Sequence, residues 1–427
     1  MPMSYGTPRT ILQFHPVKLL HTSDWHLGAR LHERDRSDDQ RRFLAFLRDA
    51  VAEERPDALV VAGDIFDVRQ PTATAQRLYY DFLADAVRDG CCKSIVIISG
   101  NHDSAQLLAA PDRLLVRLGV RVVTGYGVEG ADEVVAVGDG RGGCALAIAA
   151  VPFMSDAALA NSARVCEGSG GADLPTLARR VADGFRIRYA AAIGEARRLA
   201  DSAPIVAMGH CTVTGAQLSD QRSERGRQIG GLDERDAGAF AGADYVALGH
   251  LHVPQTLGEG GRVRYCGSPL PMSFAEAESR KSISVVEFGE RSGDAVRLRE
   301  IAVPEFTPLR VIEGAQEEIR EKLLALSASA SSPVLAALKV TGGDGDMAAF
   351  VGSARAVATG SHVEILQIED ARPRTATAAQ VLRDETQTLE ALAPHDVGMM
   401  RLADEHLSQD ELAVYSAMLS DVIAETL

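Results

Sequence analysis

Five short apolar runs in this chain each end in a polar residue that can bind a metal ion. These terminal residues are Asp24, Asp64, Asn101, His210 and His250, and a glycine directly precedes all of them except Asp24. A parallel sheet presents the carboxyl ends of its strands along one edge, so side chains at these positions can converge. Each glycine permits positive φ and a close approach of another backbone. The pattern predicts an α/β fold with a polar site at one edge of a sheet.

Further polar residues lie close behind these strand ends, namely His26, Asp67, His102 and His252. Each of them alone has a simpler interpretation, since a buried histidine is usually a hydrogen-bonded core residue and an aspartate after a strand is usually a helix N-cap. Together they place five of the eleven histidines of the chain beside strand ends. That concentration favours a metal centre over a set of unrelated core residues.

Composition excludes several classes of protein. The chain carries 44 basic and 59 acidic residues, which argues against a protein that coats nucleic acid through bulk charge but not against an enzyme that holds cations. No apolar run approaches the roughly 18 residues that span a bilayer, and the first residues lack the features of a signal peptide. The six cysteines show no CxxC spacing. We therefore expect a cytoplasmic protein without a membrane segment.

Between residues 18 and 304, apolar runs alternate with helix-period segments, which predicts parallel strands with helices packed against them. One helix is predicted over 38–56, where Phe43 and Leu47 share an apolar stripe that Pro56 ends. Three later alternating runs predict antiparallel strands, at 262–266, 282–288 and 296–303. This region is predicted to form the main domain.

The rest of the chain divides into smaller units. Residues 1–17 form an N-terminal extension without evident structure. After Pro304, residues 309–370 predict a β-α-β-α-β unit in which two helices cover one face of a small sheet. Residues 374–427 show no strand pattern and are predicted to form a helical tail, with an apolar stripe and with ten acidic against three basic side chains.

The ordered set of motifs resembles the signature of the calcineurin-like metallophosphoesterases. Its members are Asp-x-His at 24, Gly-Asp-x-x-Asp at 63, Gly-Asn-His-Asp at 100, Gly-His at 209 and Gly-His-x-His at 249. The longer blocks LLHTSDWHLG, ADYVALGHLH and RYCGSPLPMSF resemble, more narrowly, the SbcD family of bacterial nucleases. The resemblance implies a metallophosphoesterase β-sandwich flanked by helices, a small α+β capping domain at 309–370 and a helical tail that binds a partner.

Carried over by motif, the resemblance implies two metal sites that share one carboxylate. The first site would contain Asp24, His26, Asp64 and His252, and the second Asp64, Asn101, His210 and His250. Mixed imidazole and oxygen ligands favour Mn²⁺ or Fe²⁺ over Mg²⁺, which prefers nearly all-oxygen shells. The resemblance implies two Mn²⁺ ions. Such a pair can lower the pKa of a shared water and stabilise the attacking and leaving oxygens of a phosphodiester.

Two residues beside the ligands are predicted to be catalytic. His102 directly follows a ligand, so its imidazole is expected near the substrate phosphate without being a ligand itself. There it would stabilise the developing negative charge or protonate the leaving 3′ oxygen. Asp67 is predicted to orient His102 through a hydrogen bond, as carboxylates commonly do for catalytic histidines. A helix N-cap is the alternative interpretation of Asp67.

The resemblance implies a component of a nuclease complex that hydrolyses phosphodiesters at DNA ends, as a 3′-to-5′ double-strand exonuclease and a single-strand or hairpin endonuclease. It further implies an SbcC-type coiled-coil ATPase as partner, a homodimer, and a place in DNA repair, recombination and replication. The tail at 374–427 would bind the ATPase as a helix laid into a groove, or its apolar stripe folds back onto its own domain. Two other functions stay open: a small-molecule phosphodiesterase or phosphatase, and a catalytically inactive scaffold.

Arginines in loops next to the metal motifs are candidates for contacts with DNA. Arg30, Arg34 and Arg36 follow the first motif, and Arg225 and Arg227 follow the fourth. Their contacts would be to the phosphate backbone, because one tryptophan and 5% aromatic residues offer no evident stacking platform. For each arginine, a solvated surface charge is the alternative interpretation.

Overall fold

The computed structural model describes residues 16–125, 130–167, 177–217, 234–258, 260–289 and 291–372. The predicted tail at 374–427, most of the N-terminal extension, and the DNA-contact candidates Arg225 and Arg227 lie outside the described residues. Among the helices that are described, none combines the length and the apolar character needed to cross a membrane.

The secondary structure elements of the described residues are numbered in chain order. The strands are β1 (Val17–Thr22), β2 (Arg30–Leu31), β3 (Arg34–Asp35), β4 (Ala58–Ala62), β5 (Ser94–Ile98), β6 (Val120–Val123), β7 (Val134–Gly138), β8 (Cys144–Ala150), β9 (Ile205–His210), β10 (Thr212–Val213), β11 (Glu234–Arg235), β12 (Tyr245–Gly249), β13 (Gln255–Leu257), β14 (Val263–Tyr265), β15 (Ser282–Phe288), β16 (Arg297–Ala302), β17 (Leu309–Ala315), β18 (Val334–Gly342) and β19 (Val363–Asp370). The α-helices are α1 (Ser37–Glu54), α2 (Ala73–Arg88), α3 (Ala105–Ala109), α4 (Asp112–Leu115), α5 (Asp156–Glu167), α6 (Leu177–Ala200), α7 (Gln316–Ser329) and α8 (Met347–Ala358). Short 3₁₀ turns cover Val116–Leu118, Ala131–Glu133, Ala237–Phe240 and Phe274–Glu276.

Two mixed sheets form the core of the region before residue 304. The first has the strand order β16-β15-β1-β4-β5-β6, with β1, β4, β5 and β6 parallel and with β15 and β16 antiparallel to their neighbours. The second has the order β13-β14-β12-β9-β8-β7, with four parallel strands between two antiparallel edge strands. The parallel strands are nearly continuous apolar runs because both faces of each sheet are covered.

The two sheets pack face to face, and helices cover their outer faces. Val60 and Met208 lie in the core between the sheets. Leu47 of α1 belongs to the core outside the first sheet, and Tyr189 of α6 belongs to the core outside the second. The predicted β-sandwich flanked by helices is therefore confirmed.

Helix α1 shows why the sequence pattern located the elements well. Its buried residues include Phe43 and Leu47, which lie one helical turn apart and face the first sheet. The helix ends where Arg55 takes a left-handed conformation with φ of 48° and donates its N–H to the carbonyl of Val51. Pro56 follows and cannot continue the helical hydrogen bonding. The predicted helix over 38–56 is confirmed to within two residues at each end.

Residues 309–370 form a three-stranded parallel sheet, β17-β18-β19, with α7 and α8 packed on it. Its own core includes Leu323 of α7 and Leu338 of β18. The β-α-β-α-β prediction is confirmed, although the parallel pairing makes the unit α/β rather than α+β. Leu335 and Ala337 of β18 share a smaller core with Leu31. The division of the chain at Pro304 stays a prediction.

The antiparallel strands predicted after residue 260 are confirmed in two cases of three. β15 pairs antiparallel with both β1 and β16. β14 is antiparallel to β13 on one side but parallel to β12 on the other, so the prediction is wrong for that side. The chain leaves β12, runs along β13 at the edge of the sheet and returns as β14, so β14 runs in the same direction as β12. The alternation of side chains in the sequence does not reveal this connection.

Candidate metal centre

The carboxyl ends of strands from both central sheets meet at one place. Asp24, Asp64 and Asn101 follow β1, β4 and β5 of the first sheet, whereas His210 ends β9 and His250 follows β12 of the second. Hydrogen bonds and ion pairs join these five residues across the two sheets. The predicted convergence is confirmed, but it takes place between two sheets rather than along one edge.

The backbone at this place is strained. The φ angle is 52° at Asp24, 43° at His26, 48° at Asp64 and 98° at His250, all in the region that favours glycine. Such a conformation costs about 1–3 kcal/mol in a residue with a side chain and persists only where the surroundings determine it. Here the N–H of Asp24 donates to Gly63 O at 3.0 Å, and that of His26 donates to Asp64 O at 3.0 Å. These hydrogen bonds therefore hold a strained backbone that orients the side chains, and such strain is typical of a functional site.

Glycines beside the strand ends allow the ligands to approach one another. A Cβ atom at Gly63 would lie 2.2 Å from Nδ1 of His210, and one at Gly100 would lie 2.1 Å from Oδ1 of Asp64. No larger residue fits at either position without moving a predicted ligand. The close approach that the sequence predicted for these glycines is confirmed.

The first predicted site contains buried polar atoms that lack protein partners. Asp24, His26 and His252 each offer a ligand atom, and these atoms lie within 4.8 Å of one another. Oδ2 of Asp24 and Nε2 of His26 are buried and make no hydrogen bond with any described residue. A buried unsatisfied polar atom is costly, so each one needs an explanation. A cation held by these atoms would provide it, and the residues therefore fit a metal ion.

Asp64 lies between the two predicted sites. Its Oδ2 is 3.6 Å from Nε2 of His26 and 3.2 Å from Nε2 of His210. Nδ1 of His210 lies 2.9 Å from the carbonyl oxygen of Ala62, which can only accept, so the proton of a neutral ring is on Nδ1 and the lone pair is on Nε2. The carboxylate thus faces one imidazole of each site, as a ligand shared by two ions must.

Asn101 joins the second site through its amide oxygen. Oδ1 lies 2.9 Å from Nε2 of His210 and 3.0 Å from Nδ1 of His250. His250 is also tied to the first site, because its backbone N–H donates to Oδ1 of Asp24 at 2.9 Å. The second predicted set is therefore joined through Asn101, which contacts His210 and His250, and through the contact of His210 with Asp64.

The carboxylates give this place a strong preference for positive charge. Burial opposes a charge on His26, but the hydrogen bond to Asp67 and the charges of Asp64 and Asp24 outweigh it and raise the pKa of His26 to about 9. Burial also opposes a charge on His210, and Asp64 outweighs it and raises the pKa of His210 to about 9. Divalent ions would supply positive charge here in place of these protons.

Asp67 does not orient His102 in the predicted way. Its carboxylate oxygen Oδ1 lies 3.2 Å from Nδ1 of His26, a predicted ligand. The acceptor for Nδ1 of His102 is instead the backbone carbonyl oxygen of Asp67, at 2.7 Å. The alternative helix cap is also wrong, since the N-cap of α2 is Thr72. Asp67 therefore holds two histidines, one through its side chain and one through its main chain.

Asp103 is a site residue that the sequence analysis missed. Its carboxylate accepts hydrogen bonds from the backbone N–H groups of Ile65, Phe66 and Gly100, at 3.1, 3.0 and 2.8 Å. These bonds tie the loop after β4 to the loop after β5. Burial and the charge of Asp64 raise the pKa of Asp103 to about 6. The only signal in the sequence was its place as the last residue of the Gly-Asn-His-Asp block.

Replacement of Asp103 by alanine is expected to lower the free energy of unfolding of the metal-free protein by about 3 kcal/mol or more. Three buried N–H groups would lose their acceptor, and each such group costs about 1–3 kcal/mol. Denaturant-induced unfolding measures the change. Asp38→Ala is the control, because that carboxylate is exposed and its described partners are surface arginines, worth about 1 kcal/mol at most. A loss for Asp103→Ala no larger than for this control would show that the loops are held in another way.

The described DNA-contact candidates differ in their surroundings. Arg30 is exposed beside the metal motif. Nε of Arg34 lies 3.0 Å from a carboxylate oxygen of Glu364 on β19, in a half-exposed ion pair. Arg36 is buried and bonds Asp39, so a role for it in contacting DNA is wrong. The DNA contacts of Arg30 and Arg34 stay predictions.

Comparison of the sequence with known proteins finds matches to two families of domains. Residues 17–254 match the calcineurin-like phosphoesterase family, and residues 305–406 match the family described as the type 5 capsule protein repressor C-terminal domain. The chain is 31% identical over 397 residues to the D component of the SbcCD nuclease of Escherichia coli (strain K12), covering 92% of this chain and 95% of the relative. Proteins of the same name are 37% identical over 300 residues in Rhodobacter capsulatus, with 69% and 71% coverage, and 35% identical over 295 residues in Bacillus subtilis, with 69% and 71% coverage.

Proposed function

The chain belongs to the calcineurin-like phosphoesterases and, within them, to the SbcD family of nucleases, and we propose from this that it is a metal-dependent nuclease that hydrolyses phosphodiester bonds in DNA. The observation that carries the proposal is the carboxylate of Asp64, which faces His26 of one ligand cluster and His210 of the other. A carboxylate in this position is what a two-ion phosphoesterase centre needs.

The proposed ligands divide between two ions that share Asp64. One ion would be held by Asp24, His26, Asp64 and His252, and the other by Asp64, Asn101, His210 and His250. Bound divalent ions would lower the pKa of the attacking water and stabilise negative charge on the phosphate. The donor set of four imidazoles with carboxylate and amide oxygens favours Mn²⁺ or Fe²⁺ over Mg²⁺, and we propose Mn²⁺ on the resemblance to the SbcD family.

His102 is proposed to act on the phosphate directly. Its Nδ1 is bonded to the carbonyl of Asp67, and its main-chain N–H donates to Oδ1 of Asp64 at 2.9 Å. The ring lies edge-on to His26, with 4.9 Å between the ring centroids. Because Nδ1 donates to the carbonyl of Asp67, Nε2 carries a proton only in the imidazolium form of the ring, and in that form it can stabilise a phosphate oxygen or give the proton to the leaving 3′ oxygen. Asp67 contributes by holding this ring and that of His26 in place.

The finer proposals rest on the family. We propose 3′-to-5′ exonuclease activity on duplex ends, endonuclease activity on single strands and hairpins, and an SbcC-type ATPase as partner, in DNA repair and recombination. The relatives are named as one component of a nuclease called SbcCD, which supports the partnership. We also propose a homodimer, for which three exposed apolar side chains within five residues, Leu114, Val116 and Leu118, offer a surface.

One assay tests the proposed activity. Purified protein is incubated with Mn²⁺ and either a labelled blunt DNA duplex or a small aryl phosphodiester, with and without the ATPase and ATP. We expect hydrolysis of both substrates, with the duplex degraded in the presence of the ATPase. Hydrolysis of the aryl ester alone under every condition would point to a small-molecule phosphodiesterase. Hydrolysis of neither would point to a scaffold and contradict the proposal.

Deletion of residues 374–427 is expected to abolish binding of the ATPase while sparing Mn²⁺-dependent cleavage of the aryl ester. All proposed metal ligands lie at or before His252, far from the deleted segment in the sequence. Co-purification and size-exclusion chromatography of the two proteins measure the association. A variant that lacks residues 1–15 is the control and should keep both properties. Tight association after removal of the tail would place the partner contact elsewhere.

A further inference from the structure

A buried ion pair lies against His252. Glu276, at the end of a 3₁₀ turn, and Lys281, just before β15, bring their charged atoms to 2.5 Å, and their side chains are 0% and 5% exposed. Lysine and glutamate are almost never fully buried unless they are paired. Replacing a buried ion pair by apolar residues often leaves stability unchanged or increases it, so the pair is weak evidence for a purely structural role. Its position beside a proposed ligand suggests another role.

The pair holds His252 at two points. Oε1 of Glu276 lies 3.5 Å from Nδ1 of the imidazole. Nζ of Lys281 donates to the backbone carbonyl oxygen of His252 at 2.9 Å and to Oγ of Ser268 at 3.1 Å. The backbone N–H of Ser268 donates to that same carbonyl oxygen at 3.1 Å. The pair therefore contacts both the ring and the main chain of His252.

The same arrangement recurs at other proposed ligands. Nδ1 of His26 is bonded to the carboxylate of Asp67, and Nδ1 of His210 is bonded to the carbonyl oxygen of Ala62. In each case the acceptor keeps a proton on Nδ1 and leaves the lone pair on Nε2, the nitrogen available to a metal. An acceptor behind a ligating histidine fixes its tautomer and raises its basicity. Glu276 stands in the corresponding position behind His252.

We propose that Glu276 and Lys281 are positioning residues for His252. This proposal rests on the proposed role of His252 as a metal ligand. The carboxylate of Glu276 accepts a hydrogen bond from Nδ1–H of His252 and so directs Nε2 towards the metal. Lys281 balances the charge of Glu276 and anchors the carbonyl of His252. Neither residue touches the substrate or the metal.

The double variant Glu276→Leu/Lys281→Met separates positioning from stability. Removing both charges together avoids an unpaired buried charge, so the variant is expected to keep the unfolding temperature of the wild type within a few degrees. We expect its affinity for Mn²⁺, measured by calorimetry on the full chain, to fall by about 10- to 100-fold. Glu278→Leu, an exposed carboxylate in the same segment, is the control and should bind Mn²⁺ as the wild type does. Wild-type affinity in the folded double variant would overturn the proposal.

A second readout needs no metal. Nitrogen-15 spectra of histidine-labelled, metal-free protein at mildly alkaline pH report the tautomer of each ring, and a His252→Gln variant assigns the signal. We expect His252 to carry its proton on Nδ1 in the wild type and in Lys281→Arg, which keeps the positive charge, and to lose this preference in Glu276→Leu/Lys281→Met, which has no acceptor at position 276. An unchanged tautomer in this double variant would overturn the role of Glu276. If the wild type bound no Mn²⁺, the proposed function would fail, whereas these spectra would still decide whether Glu276 sets the tautomer.

Discussion

Replacement of His102 by alanine is expected to lower the rate of phosphodiester hydrolysis by about 10²- to 10⁴-fold, the usual contribution of a general acid or base. Metal binding should persist, because His102 is placed beside the ligands rather than among them. The bond that its main-chain N–H makes to Asp64 survives the substitution, since alanine keeps that group. The loss should appear in kcat and in kcat/KM alike, because the imidazole is proposed to act on the transition state.

Two measurements on the same preparation check this result. Hydrolysis of the aryl phosphodiester gives the rate, and metal analysis of the dialysed protein gives the Mn²⁺ content. His362→Ala, which replaces a histidine on the β-α-β-α-β unit outside the metal centre, is the control and should retain the rate of the wild type. Turnover of His102→Ala within about threefold of the wild type would rule out the assigned role.

Replacement of Asp64 by asparagine is expected to weaken Mn²⁺ binding by more than about 100-fold at one site at least. Substitutions of residues that only support a ligand cost about 10- to 100-fold, and Asp64 is proposed to be a ligand of both ions. Asparagine keeps the shape and the oxygen that accepts from His102 but removes the charge that faces His26 and His210. Hydrolysis should fall with the loss of the shared charge.

Calorimetric titration of the metal-free protein with Mn²⁺ measures both the affinity and the number of ions. Asp49→Asn is a matched control, because Asp49 is an exposed aspartate whose described partner is a surface arginine. It should bind two ions with the affinity of the wild type. Two ions bound at unchanged affinity by Asp64→Asn would show that this carboxylate is not the shared ligand.

The sequence located residues that meet at the candidate centre because strand ends leave a clear pattern, while their role as metal ligands stays a prediction. Asp64, Asn101 and His210 each follow an apolar run and a glycine, and the structure brings them together. The pattern could not show that the ligands come from two sheets, because strand order along the chain does not reveal which strands pair. It also could not show that Asp24 and His26 have left-handed backbone conformations, since these depend on tertiary hydrogen bonds.

The supporting residues escaped the sequence analysis for a different reason. Asp103 accepts three backbone N–H groups from two loops, and Glu276 approaches a histidine that lies far from it in the sequence. Asp103 belongs to a strand-end block, but its backbone partners cannot be read from that position, and Glu276 belongs to none of the strand-end motifs. Asp67 was recognised, but its carboxylate and its carbonyl serve different histidines. Such roles depend on side-chain orientation, which residue spacing does not determine.

The most direct test of the two-ion centre is anomalous diffraction from crystals of the full chain grown with Mn²⁺, recorded on both sides of the manganese absorption edge. We predict two manganese peaks on either side of the Asp64 carboxylate, one beside Asp24, His26 and His252 and the other beside Asn101, His210 and His250. A single peak, or two peaks that do not share Asp64, would contradict the proposed centre.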